Sequence, residues 1–303
     1  MNTPLKTVVT DNAKQETTNK LDPAFPFRVE YEKLSYYCCN TFGIHWHSDL
    51  EFTIIKHGKM KYQANDKVVL LEEGNGMFIN TNTLHSGTQT EKGQDCENYV
   101  VRVEPSLIGG AGISDIYRKY ISRILNDKHL CFLYLSKKIG WQKEILDILD
   151  DLADIYREQE DGFELDMMSR VFKICWLFEK NLNHEVDDAE TVRLCRDTEK
   201  LKQALTYIDE HYQERITLEN IAASCWSGKT ECCRIFKNIV HQSPVDYVNS
   251  RRIQASMSLL TDPALSVTEI AQSVGFSGSS YYSEVFKKEN GMTPSSYRKS
   301  LSS

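Results

Sequence analysis

The chain has 303 residues with 36 Lys and Arg against 43 Asp and Glu, a formal charge of −7. That length gives two domains as the starting expectation. No apolar run approaches the ~18 residues that cross a bilayer, so no membrane partner and a cytoplasmic location are expected. Nine cysteines with no CxxC pair, and with Cys38-Cys39 and Cys232-Cys233 adjacent, suit thiols in a reducing compartment better than a disulfide framework. The acidity is uneven: residues 196–303 carry thirteen Lys and Arg against twelve Asp and Glu. The acidic excess therefore sits in the front of the chain, and the back can still present a basic face.

Residues 1–24 open on "MNTPLKTVVTDNAKQETTNK", which lacks the apolar core of a secretory signal and is expected to be a polar tail. From Phe27 to about Val103 the texture changes to short runs such as "EFTIIKHG", "MKYQA", "KVVLLEEG", "GMFIN" and "NYVVRVE". Turn residues separate them, the pattern of a barrel or sandwich over residues 25–110. Within it, "GIHWHSDLEF" sets His45, His47 and Glu51 in the spacing H-x-H-x3-E, and "GNGMFINTNTLH" ends in His85. Residues i and i+2 of a strand share a face, so His45 and His47 can converge.

After "IGGAGI" the apolar spacing lengthens to three and four: Ile116, Ile121 and Ile124, then Ile145, Ile148, Leu152 and Ile155, then Met168, Val171, Ile174 and Leu177. That spacing predicts amphipathic helices over 111–183. Residues 184–198, charged and weakly periodic, read equally as a linker or as the fraying end of a helix. Residues 199–303 read as all-helical, with Thr217 and Ser266 as N-caps and Glu269 completing a capping box. Ser243-Pro244 and Thr293-Pro294 each put a capping hydroxyl before a first-turn proline.

This last segment states one plan twice. Ile221-Ala222 matches Ile270-Ala271 at an offset of 49, and Phe236-Lys237 matches Phe286-Lys287 at an offset of 50. Each copy is a short helix, a turn and a longer helix ending in Phe-Lys. Spacing alone allows either DNA-reading helix-turn-helix units or a structural helical repeat. The fuller pattern is Ile270-Ala271, Gly275-Phe276, Phe286-Lys287, Gly291, Thr293-Pro294 and Tyr297-Arg298. Together with the first copy it resembles the DNA-binding region of AraC-type bacterial transcription regulators over about 100 residues.

The resemblance implies that the second helix of each copy enters a major groove with its N-terminal half. The base readers would be Lys229, Thr230, Cys233 and Arg234 in the first copy and Ser279, Ser280, Ser283 and Glu284 in the second. Lys237, Lys287 and Lys288 would hold phosphates, and Arg251 and Arg252 are expected in solvent or facing phosphate. Glu284 stands where the family often has Arg, and Gly228 where a capping Ser is usual.

The His45, His47, Glu51 and His85 positions resemble the two motifs of the cupin β-barrel, whose three His and one Glu hold a divalent metal. Asn80 and Asn82 depart from that pattern at turn positions. Three roles stay open for these residues: metal ligands, polar lining of an effector pocket joined by Trp46 and Tyr62, or structure only. Trp46, Tyr62 and Phe78 are candidates to line a mouth and stack on a sugar ring, with core packing the expected role of at least two of them.

The expected fold is therefore multidomain α+β. A cupin-like sensor leads into a helical dimerisation segment (111–183) and an all-α double helix-turn-helix domain (199–303). The expected function is effector-controlled transcription regulation without enzymatic activity. Double-stranded DNA, a small effector such as a carbohydrate, a second copy of the chain and RNA polymerase are the expected partners. The alternatives are a metal-dependent cupin enzyme with a DNA-binding tail, and a regulator whose barrel only dimerises.

Overall fold

The computed structural model describes residues 6, 8–10, 14–17, 21–37, 40–90, 95–109, 115–182 and 189–301. The chain divides into two units, Met1–Thr10 with Gln15–Cys195, and Asp11–Lys14 with Arg196–Ser303.

The first unit is built on two antiparallel sheets. Its strands are β1 (Phe27–Lys33), β2 (Thr41–His45), β3 (Leu50–His57), β4 (Lys59–Ala64), β5 (Lys67–Glu72), β6 (Gly76–Ile79), β7 (His85–Gln89), β8 (Glu97–Val103) and β9 (Phe132–Leu135). One sheet runs β1-β8-β3-β6-β9 and the other β2-β7-β4-β5. The helices α1 (Pro105–Gly109), α2 (Ser122–Asn126), α3 (Gly140–Glu158) and α4 (Phe163–Asn181) follow, with a wider helical turn at Tyr117–Ile121 leading into α2.

Period-two alternation sends the two faces of β3 into different cores. Leu50, Phe52 and Ile54 join Phe78, Val101 and Val103 beneath Ile145, Leu149, Leu152, Val171, Ile174 and Phe178 of α3 and α4. Ile55, on the opposite face, packs with Met77 and Ile79 against Met60, Tyr62, Ala64 and Leu71 of the second sheet. A strand covered on both sides needs apolar residues at successive positions, which is why β3 reads as a near-continuous run. Glu51 and Thr53 share the inner face with Ile55, so the alternation alone carries a carboxylate between the sheets.

Two expectations are corrected, and a third that was left open is narrowed. The stretch 111–183 is not wholly helical, because β9 pairs with β6 from Ile79↔Phe132 to Gly76↔Leu135. Four residues are too few to display a period, and their partner is a strand 53 to 59 positions earlier. The tail is not free throughout, because the Glu16 amide donates to the Trp46 carbonyl at 2.9 Å and Gln15 bridges to Trp46. Among residues 184–198, those from Ala189 onward are helix, while 184–188, like Cys38 and Cys39, lie outside the described residues.

The second unit is helical. Its elements are most of α5 (Ala189–His211), then α6 (Leu218–Ser224), α7 (Lys229–Ile239), α8 (Pro244–Leu259), α9 (Val267–Ser273), α10 (Ser279–Asn290) and α11 (Pro294–Leu301). Thr217 and Ser266 both form complete capping boxes, and Ser243 caps α8. The helix α8 touches both helix-turn-helix copies. Its Tyr247 ring meets Phe236 edge-on at 5.8 Å, while Asn249 donates to the Tyr281 hydroxyl and the Tyr282 hydroxyl donates to Ser256. The closing Tyr297-Arg298 pair has a packing role. Tyr297 meets Phe286 edge-on, and the Arg298 guanidinium donates to the carbonyls of Leu260 and Leu265, fastening the loop between α8 and α9.

Candidate effector site and nucleic-acid interface

Between the sheets the three histidines and Glu51 come together. His45 ends β2 and pairs with His85 at the start of β7; His47 follows in the loop before β3. Ring nitrogens of His45, His47 and His85 lie within 4.8 Å of one another, and the three rings and Glu51 are all buried.

The hydrogen bonds fix the chemistry of each ring. Nδ1 of His45 lies 2.9 Å from the Gly43 carbonyl, that of His47 3.0 Å from the Asp49 carbonyl, and that of His85 2.9 Å from the Thr83 carbonyl. A carbonyl only accepts, so each Nδ1 carries the proton and Nε2 is left as the metal-competent nitrogen. His47 Nε2 then stands 3.0 Å from Glu51 Oε2, and His85 Nε2 stands 3.7 Å from the same oxygen. His85 Nε2 is buried without a hydrogen-bond partner. Two lone pairs facing each other at 3.0 Å require a positive charge, either a proton on the ring or a cation among the four groups.

The surroundings hold these groups in place. Glu51 Oε1 accepts from the Tyr62 hydroxyl at 3.0 Å and from Thr53 at 3.2 Å. Burial alone would push the Glu51 carboxyl up, but the neighbouring His85 and His47 outweigh it and hold it well below the usual carboxylate range. Burial, reinforced by His85 and His47, pushes His45 well below the ordinary histidine value, keeping that ring neutral. Arg102, itself buried, bonds Asp49 at 2.8 Å and Glu16 at 2.7 Å. It thereby braces the residue whose carbonyl orients His47, an outer layer the sequence reading missed because its members lie far apart in the chain.

Asn80 and Asn82 explain their departures from the cupin pattern. Asn80 ties its side chain to the Ile124 and Leu130 carbonyls. Asn82 takes φ 59°, a left-handed turn conformation that Asn tolerates better than most residues. Of the three candidate stacking rings, two are core residues, as expected. Tyr62 and Phe78 are 0 % exposed; Tyr62 serves Glu51, and Phe78 lies in the core beneath the helices. Trp46 is half-buried. The cavity beside the cluster, bounded among others by Glu16, Glu32, Tyr37, His45, Glu51 and Arg102, measures about 50 Å³.

In the second unit, α7 and α10 begin after Gly228 and Gly278, neither with a side-chain cap. On α7, Lys229, Thr230 and Lys237 are exposed while Cys233 and Arg234 are half-buried. Lys229 pairs with Glu219 at 2.6 Å, and Arg234 pairs with Asp197 at 2.8 Å. On α10, Ser280, Glu284, Lys287 and Lys288 are exposed, and Ser279 and Ser283 half-buried. Arg251 and Arg252 correct their expectation. Arg251 binds Asp209, and Arg252 donates to the Tyr212 and Glu214 carbonyls, so both tie α8 to α5 and the turn after it. The sequence reading also passed over Trp226, which is 87 % exposed at φ 53°.

Residues 38–174 match the family model of the AraC-like ligand binding domain, and residues 227–300 that of a helix-turn-helix domain. An uncharacterized HTH-type transcriptional regulator of Bacillus subtilis, YdeC, is 30% identical over 297 residues, 97% of this chain and 99% of that one. The melibiose operon regulatory protein of Escherichia coli is 23% identical over 259 residues, 84% of this chain and 83% of that one. A structure of ToxT from Vibrio cholerae aligns over 90% of this chain and 97% of that one, at 17% identity and a TM-score of 0.41.

Proposed function

The chain belongs to the AraC family of DNA-binding transcription regulators, and from that premise we propose that its effector is a divalent transition metal held by His45, His47, Glu51 and His85. The observation that carries this reading is the 3.0 Å approach of His47 Nε2 to Glu51 Oε2, with His85 Nε2 buried and unpartnered beside them. Three imidazoles and one carboxylate suit zinc, iron, nickel or cobalt better than magnesium or calcium. Each ring is also oriented by a backbone carbonyl, the outer support that metal-binding histidines use.

Metal analysis after dialysis against these ions tests the proposal. Near-stoichiometric uptake by the wild type, lost in His47→Ala, supports it; equal metal content in both contradicts it.

A carbohydrate effector is the second reading. The relative named for the melibiose operon favours it. Against it stands the cavity of about 50 Å³, far below the ~300 Å³ at which small-molecule pockets begin. Thermal melts with disaccharides and with metals, run side by side, separate the two, because a ligand stabilises the state it binds.

At the other end of the chain, α7 and α10 serve as reading helices in successive major grooves, about 34 Å apart on one face of the duplex. Lys229, Thr230, Cys233, Arg234, Ser279, Ser280, Ser283 and Glu284 offer the outward side chains of that reading. Lys237, Lys287 and Lys288 offer positive charge to phosphates. The effector changes transcription through different affinities for different arrangements of these helices, in a homodimer that acts on RNA polymerase.

A further inference from the structure

The two copies of the helix-turn-helix turn share one pattern of backbone hydrogen bonds. In the first, the amides of Trp226 and Ser227 donate to the carbonyls of Ala223 and Ala222 at 3.1 and 2.9 Å. In the second, Gly275 and Phe276 donate to Gln272 and Ala271 at 3.0 and 2.9 Å. Trp226 and Gly275, 49 positions apart, both take positive φ, 53° and 92°. Glycine suits this conformation, and a bulky side chain is rare there. Yet the first copy carries an indole, and it is the most exposed large apolar side chain among the described residues, at 87 %. A strained backbone displaying an unburied aromatic ring points from conformation to function.

Its place in the fold suggests what it meets. Only Ser227 and Gly228 separate Trp226 from Lys229, the first residue of α7. It therefore borders the exposed first turn, Lys229 and Thr230, that leads α7 toward DNA. We propose that the Trp226 indole rests on the sugar–phosphate backbone at the edge of the groove that α7 enters, its face on a deoxyribose and its Nε1–H donating to a phosphate oxygen. An indole offers an apolar face and a single donor and no acceptor, which matches a sugar beside a phosphate. The inference rests on α7 being a reading helix. It adds a contact that fixes the register of α7 on the duplex rather than one that reads a base.

The test uses the full chain, one duplex selected from a random-sequence library and one scrambled duplex, with affinity measured across a salt series. Trp226→Gly is the informative change because the second turn already folds with glycine. It is expected to bind both duplexes about tenfold more weakly, the effect of one hydrogen bond to a charged group. Its salt slope should match the wild type, because an indole neutralises no phosphate, and its melting temperature should not fall. Trp226→Phe, which keeps a ring and loses the donor, should lie between. Unchanged affinity for Trp226→Gly overturns the proposal, as does a loss confined to the selected duplex. Lys237→Ala separates this from the role of α7: if Lys237→Ala weakens binding and Trp226→Gly does not, α7 still reads DNA and the indole contact is wrong.

Discussion

Nη1 of Arg234 stands 2.8 Å from Oδ2 of Asp197, so the arginine in the middle of α7 braces that helix against α5 while 38 % of its side chain remains exposed. Asp197 is itself buried, and its Oδ1 has no hydrogen-bond partner. Arg234→Ala therefore has two expected consequences. It relaxes preference at one base by about 1–3 kcal/mol. It also destabilises the second unit by about 1 kcal/mol, a figure kept small because the arginine is partly solvated. Arg234→Lys retains the charge beside Asp197 but loses the planar fork, so it should keep most of the melting temperature and still relax specificity. Binding-site selection with thermal melts reads both effects. An unchanged base preference in Arg234→Ala would remove Arg234 from the set of base readers.

Gly275 and Gly228 predict losses of very different size for the same substitution. A Cβ on Gly275 would lie 2.4 Å from the Tyr212 carbonyl oxygen, at φ 92°. Gly275→Ala is expected to cost about 2–4 kcal/mol through strain and overpacking. A Cβ on Gly228 meets nothing within 4 Å, and its φ of −74° is open to any residue. Gly228→Ala should shift the melt by far less, a small loss at an N-cap position. Equal melting temperatures for the two variants would contradict the turn geometry.

Lys287 is exposed in the last turn of α10. Lys287→Ala is expected to weaken all duplexes alike and to reduce the slope of log affinity against log salt by about 0.9. A loss that depends on sequence, measured on selected and scrambled duplexes, would move this lysine from phosphate to base.

Much of this was legible in the sequence because it is local. Capping hydroxyls at Thr217, Ser243 and Ser266 act within one helical turn, and the duplicated Ile-Ala and Phe-Lys spacings mark two copies of one unit. The runs that became β3, β4, β5, β6 and β8 were visible as apolar texture. What stayed hidden depends on distant partners. β9 becomes a strand only by pairing with β6, and Arg102 meets the cluster through strand pairing with Glu51 and ion pairs to Asp49 and Glu16. Tyr62, one of three candidate stacking rings, faces inward because the alternation of β4 places Met60, Tyr62 and Ala64 together in the core between the sheets. Trp226 was detectable by laying the two copies side by side, where it falls opposite Gly275.

Three large apolar side chains of α4 are exposed. Leu165, Phe172 and Trp176 are 79, 40 and 49 % exposed, and their spacings of seven and four set them on one face of the helix. In a homodimer joined through this face, Phe172→Glu buries a charge against apolar groups and should yield a monomer by light scattering without lowering the melting temperature of the isolated protomer. A dimer that persists in Phe172→Glu would place the interface elsewhere.

One titration measures the proposed coupling between the His45, His47, Glu51 and His85 cluster and DNA binding. The affinity of the full chain for a selected duplex is followed as zinc, iron(II), nickel or cobalt(II) is added, in the wild type and in His47→Ala. At least one of these ions should change the wild-type affinity by about 5- to 150-fold, the usual range of coupling between two sites, and leave His47→Ala unaffected. No change in the wild type with any of them, or the same change in both proteins, would contradict it.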